Sequence, residues 1–439
     1  MTRIGRALME FWEEAAAVWC GLSPTIRGVL LAVVSLALAQ QINRAIDRLA
    51  YHPRGRDPWL PAPDGFPPRT WADRLPLVGW WRLRRETPHH GSLFWMRPLL
   101  IELLFPAGIV GLYFFEAQGG LYPQSGPVAG AATLHAQFLL HFVLIALMTV
   151  ATFIDFDEQT IPDEVTLIGA AIGVALVSLL PWSLLPTIVR LGFVPYPFHM
   201  VLTTSSHDPG WKDGLGGPQS WPPWCDTNAA FALAILAIAA WWLAVLPKIW
   251  TMRRGVARAF LYAAASVRRY RTWRLPSLTA GVMILLVGLA FARGGPYWQS
   301  AFSAVMGMVI AGGFTWAVRL VASRALGMEA LGFGDVTLMA MLGAFLGWQT
   351  GLLIFGLAPM TALVIAVAQW IATRRHDIAF GPYLCLAAVV WLVVWRRWWH
   401  EWAVNAFAMG WVLIAVLIVS IVLLGLLLWV WQVIKSLLA

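Results

Sequence analysis

Cysteine is almost missing from this chain. Cys20, Cys225 and Cys385 are its three copies, spaced too widely to encode a disulfide framework or a CxxC metal site. Charge is scarce as well: 12% of residues are charged, about half the share of an ordinary soluble domain, so a water-wetted globule is excluded. Acids are outnumbered, 22 against 31 basic residues. In a soluble protein that excess would suggest nucleic acid as a partner. Here the basic residues sit in loops between apolar runs, where they set orientation in a bilayer, so nucleic acid is not expected. The first 21 residues, MTRIGRALMEFWEEAAAVWCG, lack both an apolar run and a small-residue cleavage site, and no removable signal peptide is expected.

What the chain has is apolar surface. Of its 439 residues 59% are hydrophobic, mean hydropathy is +0.70, and many of the 27 tryptophans stand where apolar runs meet charged loops, as Trp95, Trp241, Trp242 and Trp398 do. A spanning helix needs roughly 20 mostly apolar residues. About eleven candidates meet that measure, near 26–43, 98–115, 137–154, 165–181, 229–247, 276–292, 301–318, 336–348, 351–371, 382–395 and 407–431. The expected fold is an all-α polytopic membrane bundle embedded in the lipid bilayer. The piece at 336–348 is short enough to be one arm of a broken span. Segment 181–228, rich in Pro, Gly and Trp, reads as an ordered loop without regular secondary structure.

Loops 44–97, 248–275, 319–335 and 372–381 carry most of the basic residues, including ten arginines from Arg44 to Arg97. The positive-inside rule puts these loops in the cytoplasm and the N-terminus outside. The chain is thus expected in the cell inner membrane.

An ionisable residue at the end of a span is costly and usually has a purpose. Two stretches qualify. In TVATFIDFDEQTIPDEVTL an apolar run leads directly into Asp155, Asp157, Glu158, Asp163 and Glu164, with no basic residue among them. In EALGFGDVTLMAMLGAFLGW, Gly332, Gly334 and Asp335 precede a new apolar helix. Taken alone, the first is equally an acidic hairpin loop and the second a glycine turn with a capping Asp. The loop assignment puts Asp155 and Asp335 at one depth on one side of the membrane. Two carboxyl groups brought together in a low-dielectric site titrate as a coupled pair, one able to act as a base on water and the other as an acid.

The same stretches resemble a family. IDFDEQTIPD is similar to the first signature of the prepilin peptidases, or type IV leader peptidases, and EALGFGDVTLMAMLGAFLGW to their GxGD signature. AFGPYLCLAA (379–388) and ADRLPLVGWWRLRRETPHHGSLFWMRPLLIELLF (72–105) also look like parts of that family. The resemblance implies an intramembrane aspartic endopeptidase with Asp155 and Asp335 catalytic. Its substrates would be prepilin or pseudopilin precursors, which the resemblance implies carry a short basic leader followed by a hydrophobic membrane helix and are cut between the two at the cytoplasmic face. Asp157, Glu158, Asp163, Glu164 and Glu329, with Gly332 and Gly334, would bind the substrate beside the pair.

Two departures accompany the resemblance. The CxxC pairs that hold zinc in methylating relatives are not in loop 44–97, so neither metal nor cofactor is expected. Thr337 stands where the family commonly has Lys. A catalytically impaired relative acting as a scaffold in pilus or secretion assembly is the alternative reading. An Asp-dependent cation or proton transporter is a further one, set against spans that have few polar residues through their middles. The chain divides into 1–97, a degenerate form of the family's N-terminal region; 98–182, carrying the first Asp; 183–300, an insertion; 301–400, carrying GxGD; and 401–439, an added C-terminal helix.

Overall fold

The computed structural model describes residues 3–52, 54–124, 126–191, 194–200, 202, 221–246, 256–373, 379–407, 409 and 411–438. In chain order the helices are α1 (Arg3–Gly21), α2 (Pro24–Leu49), α3 (Val78–Leu83), α4 (Thr87–His90), α5 (Met96–Ala117), α6 (Ala131–Glu158) and α7 (Asp163–Leu179). After a β-hairpin come α8 (Asn228–Val245), α9 (Val256–Tyr270), α10 (Arg274–Arg293), α11 (Gly295–Leu326), α12 (Phe333–Thr373), α13 (Gly381–Trp398), α14 (Val404–Phe407) and α15 (Trp411–Leu438). Eight helices among the described residues are long and apolar enough to cross a membrane. Each of the eleven apolar segments coincides with a helix. The lower number arises because α7 is short, α12 holds two segments, and the end of α13 carries Arg396 and Arg397.

The first arm of α12 is the centre of the bundle. Leu338 to Leu342 and Ala344 to Leu346 are fully buried, packed between α7, α11 and α13. Such depth needs backbones in near contact, as small residues allow in membranes. A Cβ added to Gly307 of α11 would come within 2.2 Å of the Gly343 carbonyl oxygen, and one on Gly343 equally close to that of Gly307. At Gly347 the backbone turns non-helical (φ 82°, ψ 168°), a conformation that suits glycine. The chain reverses there, so the short piece at 336–348 is one arm of a helical hairpin.

Opposite ends of the bundle are tied down differently. Away from the first turn of α12, the indoles of Trp348, Trp395 and Trp298 donate to the carbonyls of Leu202, Pro186 and Cys225. Helix α1 lies at this same end, its Trp12 and Trp19 donating to the Ala132 carbonyl and the Tyr113 hydroxyl. Segment 181–228 is not without regular structure, contrary to its reading as an irregular loop. Strand β1 (Pro186–Leu191) pairs antiparallel with β2 (Val194–His199), and a 3-10 turn covers Pro223–Asp226. The prolines fit a two-stranded ribbon: Pro195 and Pro197 are two apart, so both missing N–H groups fall on the same edge of β2. Residues 203–220 of that segment, 248–255 of the basic loop and 374–378 of the last loop lie outside the described residues.

At the other end, segment 50–95 folds onto the starts of α5 and the ends of α2 and α6. Trp80, Leu83 and Phe94 form its small apolar core. Ion pairs do the rest: Arg69 meets Glu86 at 2.5 Å with both side chains buried, Arg82 and Arg85 hold Asp73, and Arg48 holds Asp57 at 2.8 Å. Buried Glu102 of α5 accepts from the Trp80 indole, the Asn43 amide and the Leu77 backbone N–H, and so fixes the segment to two membrane helices.

Candidate active site

Helix α6 ends where Gln159 turns left-handed (φ 53°) and its N–H closes on the Asp155 carbonyl at 2.8 Å, a common helix C-cap geometry. The Asp155 side chain, one turn earlier, is 5% exposed. Its Oδ2 accepts the backbone N–H of Gly381 at 3.0 Å, the first residue of α13. Asp335 is 7% exposed and sits at the third position of α12, from which its carboxylate accepts the backbone N–H of Gly332, as in one half of a capping box. Each acid thus meets the N-terminal end of a helix, where backbone N–H groups and the helix dipole favour negative charge. The two carboxylates are close enough for the charge of Asp155 to act on Asp335.

Ile161, from the turn between α6 and α7, locks the two stretches together. A Cβ on Gly334 would lie 3.1 Å from the Ile161 Cβ and 3.2 Å from its backbone nitrogen. One on Gly381 would lie 2.9 Å from the Ile161 Cδ1 and 2.6 Å from the Asp155 Oδ2. Glycine at both positions is what lets the GxGD turn and the start of α13 close around the first acid. Buried Cys385, one turn into α13, is hydrogen-bonded to Thr152. Thr337 uses its hydroxyl locally, donating to the Gly334 carbonyl at 3.0 Å.

The remaining acids of the rim divide in two. Asp157 is ion-paired with Arg54 at 2.8 Å and Arg97 at 2.5 Å, and Glu158 accepts the backbone N–H groups of Tyr51 and His52. Both therefore fasten segment 51–54 to the end of α6. Asp163 and Glu164 occupy the first turn of α7, with Glu164 exposed. Glu329 pairs with Arg319 at 2.7 Å and keeps 63% of its side chain exposed. Gly332 leaves room beside Asp335, whose Oδ2 is 3.4 Å from where a Cβ would sit. No group of three or more His, Cys, Asp or Glu among the described residues is arranged to hold a metal. Sequence reasoning missed Gly381, Ile161, Arg54 and Arg97. Only Gly381 left a signal, as a glycine opening an apolar helix.

Residues 256–367, from α9 through most of α12 and so including Asp335, match the type IV leader peptidase family. This part of the chain is similar to that family. The match begins inside the stretch 183–300 read as an insertion, and Asp155 lies outside it. The chain is similar to prepilin leader peptidase/N-methyltransferases of several bacteria. That of Aeromonas salmonicida (strain A449) is 30% identical over 130 residues, 28% of this chain and 42% of the relative. That of Pectobacterium carotovorum is 34% identical over 115 residues, 25% and 40% of the two chains. That of Escherichia coli (strain K12) is 34% identical over 130 residues, 28% and 56%. The chain therefore spans less than two thirds of the length of each of these relatives. No solved structure matches it significantly.

Proposed function

We propose that this chain is an intramembrane aspartic endopeptidase that removes the basic leader of a prepilin-like or pseudopilin precursor at the cytoplasmic face of the inner membrane. The observation that carries the reading is that Asp155 and Asp335 lie at one end of the bundle, with Ile161 packed against the glycines beside both. The two acids come from helices far apart in the chain, are both buried, and each rests on a helix N-terminus. The leader peptidase match around Asp335 supports the same chemistry.

Two carboxyl groups in such a site share a proton more readily than they carry two charges. In the unprotonated role, one accepts a proton from a water held between them. The other, protonated, donates to the oxygen of the scissile carbonyl as the water adds. The N–H groups of Gly381 and Gly332 hold the carboxylates in place through this exchange, so little reorganisation is needed at the moment of reaction. Exposed Glu164 presents negative charge to a basic leader, with Asp163 beside it and Glu329 within its pair with Arg319, whereas Asp157 and Glu158 hold segment 51–54 against α6.

The activity proposed is hydrolysis alone: segment 50–95 holds no cysteine and is fastened by ion pairs instead. The test is cleavage of a prepilin by the protein reconstituted in liposomes. Asp155→Asn and Asp335→Asn each abolish cutting while the protein still accumulates in the membrane. Full activity in either variant refutes the pair.

A further inference from the structure

Between α5, α6 and α13 runs a groove of about 860 Å³. Arg97 marks its rim at the end that carries the aspartates, and Phe115 its far end. Along α5 these residues are separated by about 27 Å at 1.5 Å per residue. That is close to the roughly 30 Å thickness of a bilayer's hydrocarbon core, and about twice what the acyl chain of one leaflet covers. The walls are apolar. Thr149, a polar side chain inside the groove, turns its hydroxyl onto the Ile145 carbonyl at 2.7 Å, and so offers its methyl group to an occupant. On α5, Gly108 and Gly111 both line the groove, and a Cβ added to either meets nothing within 4 Å. No side chain fills the groove at these two positions, and helices in lipid approach one another most closely at such residues.

Two of the helices that wall the groove, α6 and α13, also build the site. Helix α6 turns Phe153 into the groove and carries Asp155 two residues later. Helix α13 lends Val389 and Val393 to the groove and begins at Gly381, bonded to Asp155. At the rim Arg97 is paired with Asp157.

We infer that this groove seats the apolar transmembrane helix of the substrate, an inference that rests on the endopeptidase reading and names where its substrate binds. A helix lying along α5 fills the full length of the groove, as a lipid of one leaflet cannot. Its cytoplasmic end then emerges at Arg97, within a turn of the depth of Asp155, so the peptide leading into it passes the two carboxyl groups.

The inference is tested with a photo-crosslinking amino acid at Gly108 or Gly111 in the Asp335→Asn protein, reconstituted in nanodiscs with a prepilin. The expected product is a cross-link to the prepilin's apolar helix, absent when the same probe replaces Leu285, an exposed residue of α10. In the otherwise unaltered protein, Gly111→Leu fills the groove and raises KM for the prepilin at least tenfold, with the loss falling on KM rather than kcat. Cross-links to lipid alone, equal cross-linking from Leu285, or wild-type KM in Gly111→Leu overturns the groove. Cross-linking does not require cleavage. A cross-link from a protein whose unaltered form cuts nothing therefore keeps the groove and removes the peptidase reading.

Discussion

The carboxylate of Asp155 on α6 and the backbone N–H of Gly381 on α13 are hydrogen-bonded at 3.0 Å, across 226 positions of sequence. The contact closes a ring of three elements, because Ile161 packs against Gly381 and Gly334 at once. It also sets the distance of closest approach: no side chain fits at position 381 while Asp155 stays where it is.

Gly381→Ala therefore displaces the carboxylate. The new methyl would stand 2.6 Å from Oδ2, so the acid must move by the better part of an ångström, and misplacement on that scale costs on the order of a hundredfold in rate. The expected result is a loss of that size in kcat for leader cleavage, with normal levels of protein in the membrane. Gly334→Ala, which presses on the Ile161 backbone, behaves similarly, and Gly332→Ala, with 3.4 Å to the Asp335 Oδ2, shows the smaller loss. Wild-type kcat in Gly381→Ala would show that the contact does not position Asp155.

The two acids were visible in the sequence because each borders an apolar run, Asp155 at its end and Asp335 at its start, and the runs themselves are a matter of hydropathy and length. The break in α12 was visible for the same reason: the piece at 336–348 is too short to cross alone. Gly381 and Ile161 were not visible in their roles, since their contacts depend on how α13 and the α6–α7 turn pack, and no periodicity encodes that. The charges of loop 44–97 read, from sequence alone, as topology signals. Their pairing, Arg69 with Glu86 or Arg97 with Asp157, is decided in three dimensions. Helix α1 escaped notice because its apolar residues are interrupted by Arg6, Glu10, Glu13 and Glu14, which suits a helix lying at the end of the bundle rather than one crossing it. The hairpin at 186–199 was hidden by its prolines.

Orientation in the membrane is open to a direct measurement through the three cysteines. Cys20 is exposed and Cys225 and Cys385 are buried. Cys20 stands just before α2, whose other end is fastened beside Glu158, so it marks the end of the bundle opposite the aspartates. A membrane-impermeant maleimide added to intact spheroplasts should label the wild-type protein once, and Cys20→Ser should not be labelled. Labelling only after lysis would invert the orientation and carry the aspartates to the outer face.

The folded rim has its own pH signature in Asp73. Burial of this carboxyl works to raise its pKa, but the backbone N–H of Thr70, the guanidinium groups of Arg82 and Arg85 and the Thr70 hydroxyl together outweigh it and bring it down to about 2. A carboxylate held below its ordinary value of 3.8 adds stability that is fully present above that value and is lost as pH falls from there through about 2. Asp73→Asn removes the contribution at every pH. Amide exchange in residues 70–86 should therefore be faster in the variant at pH 6, by roughly tenfold or more. The two proteins should converge as pH approaches 2. A difference that persists undiminished at pH 2 would mean that Asp73 acts there through packing rather than through its charge.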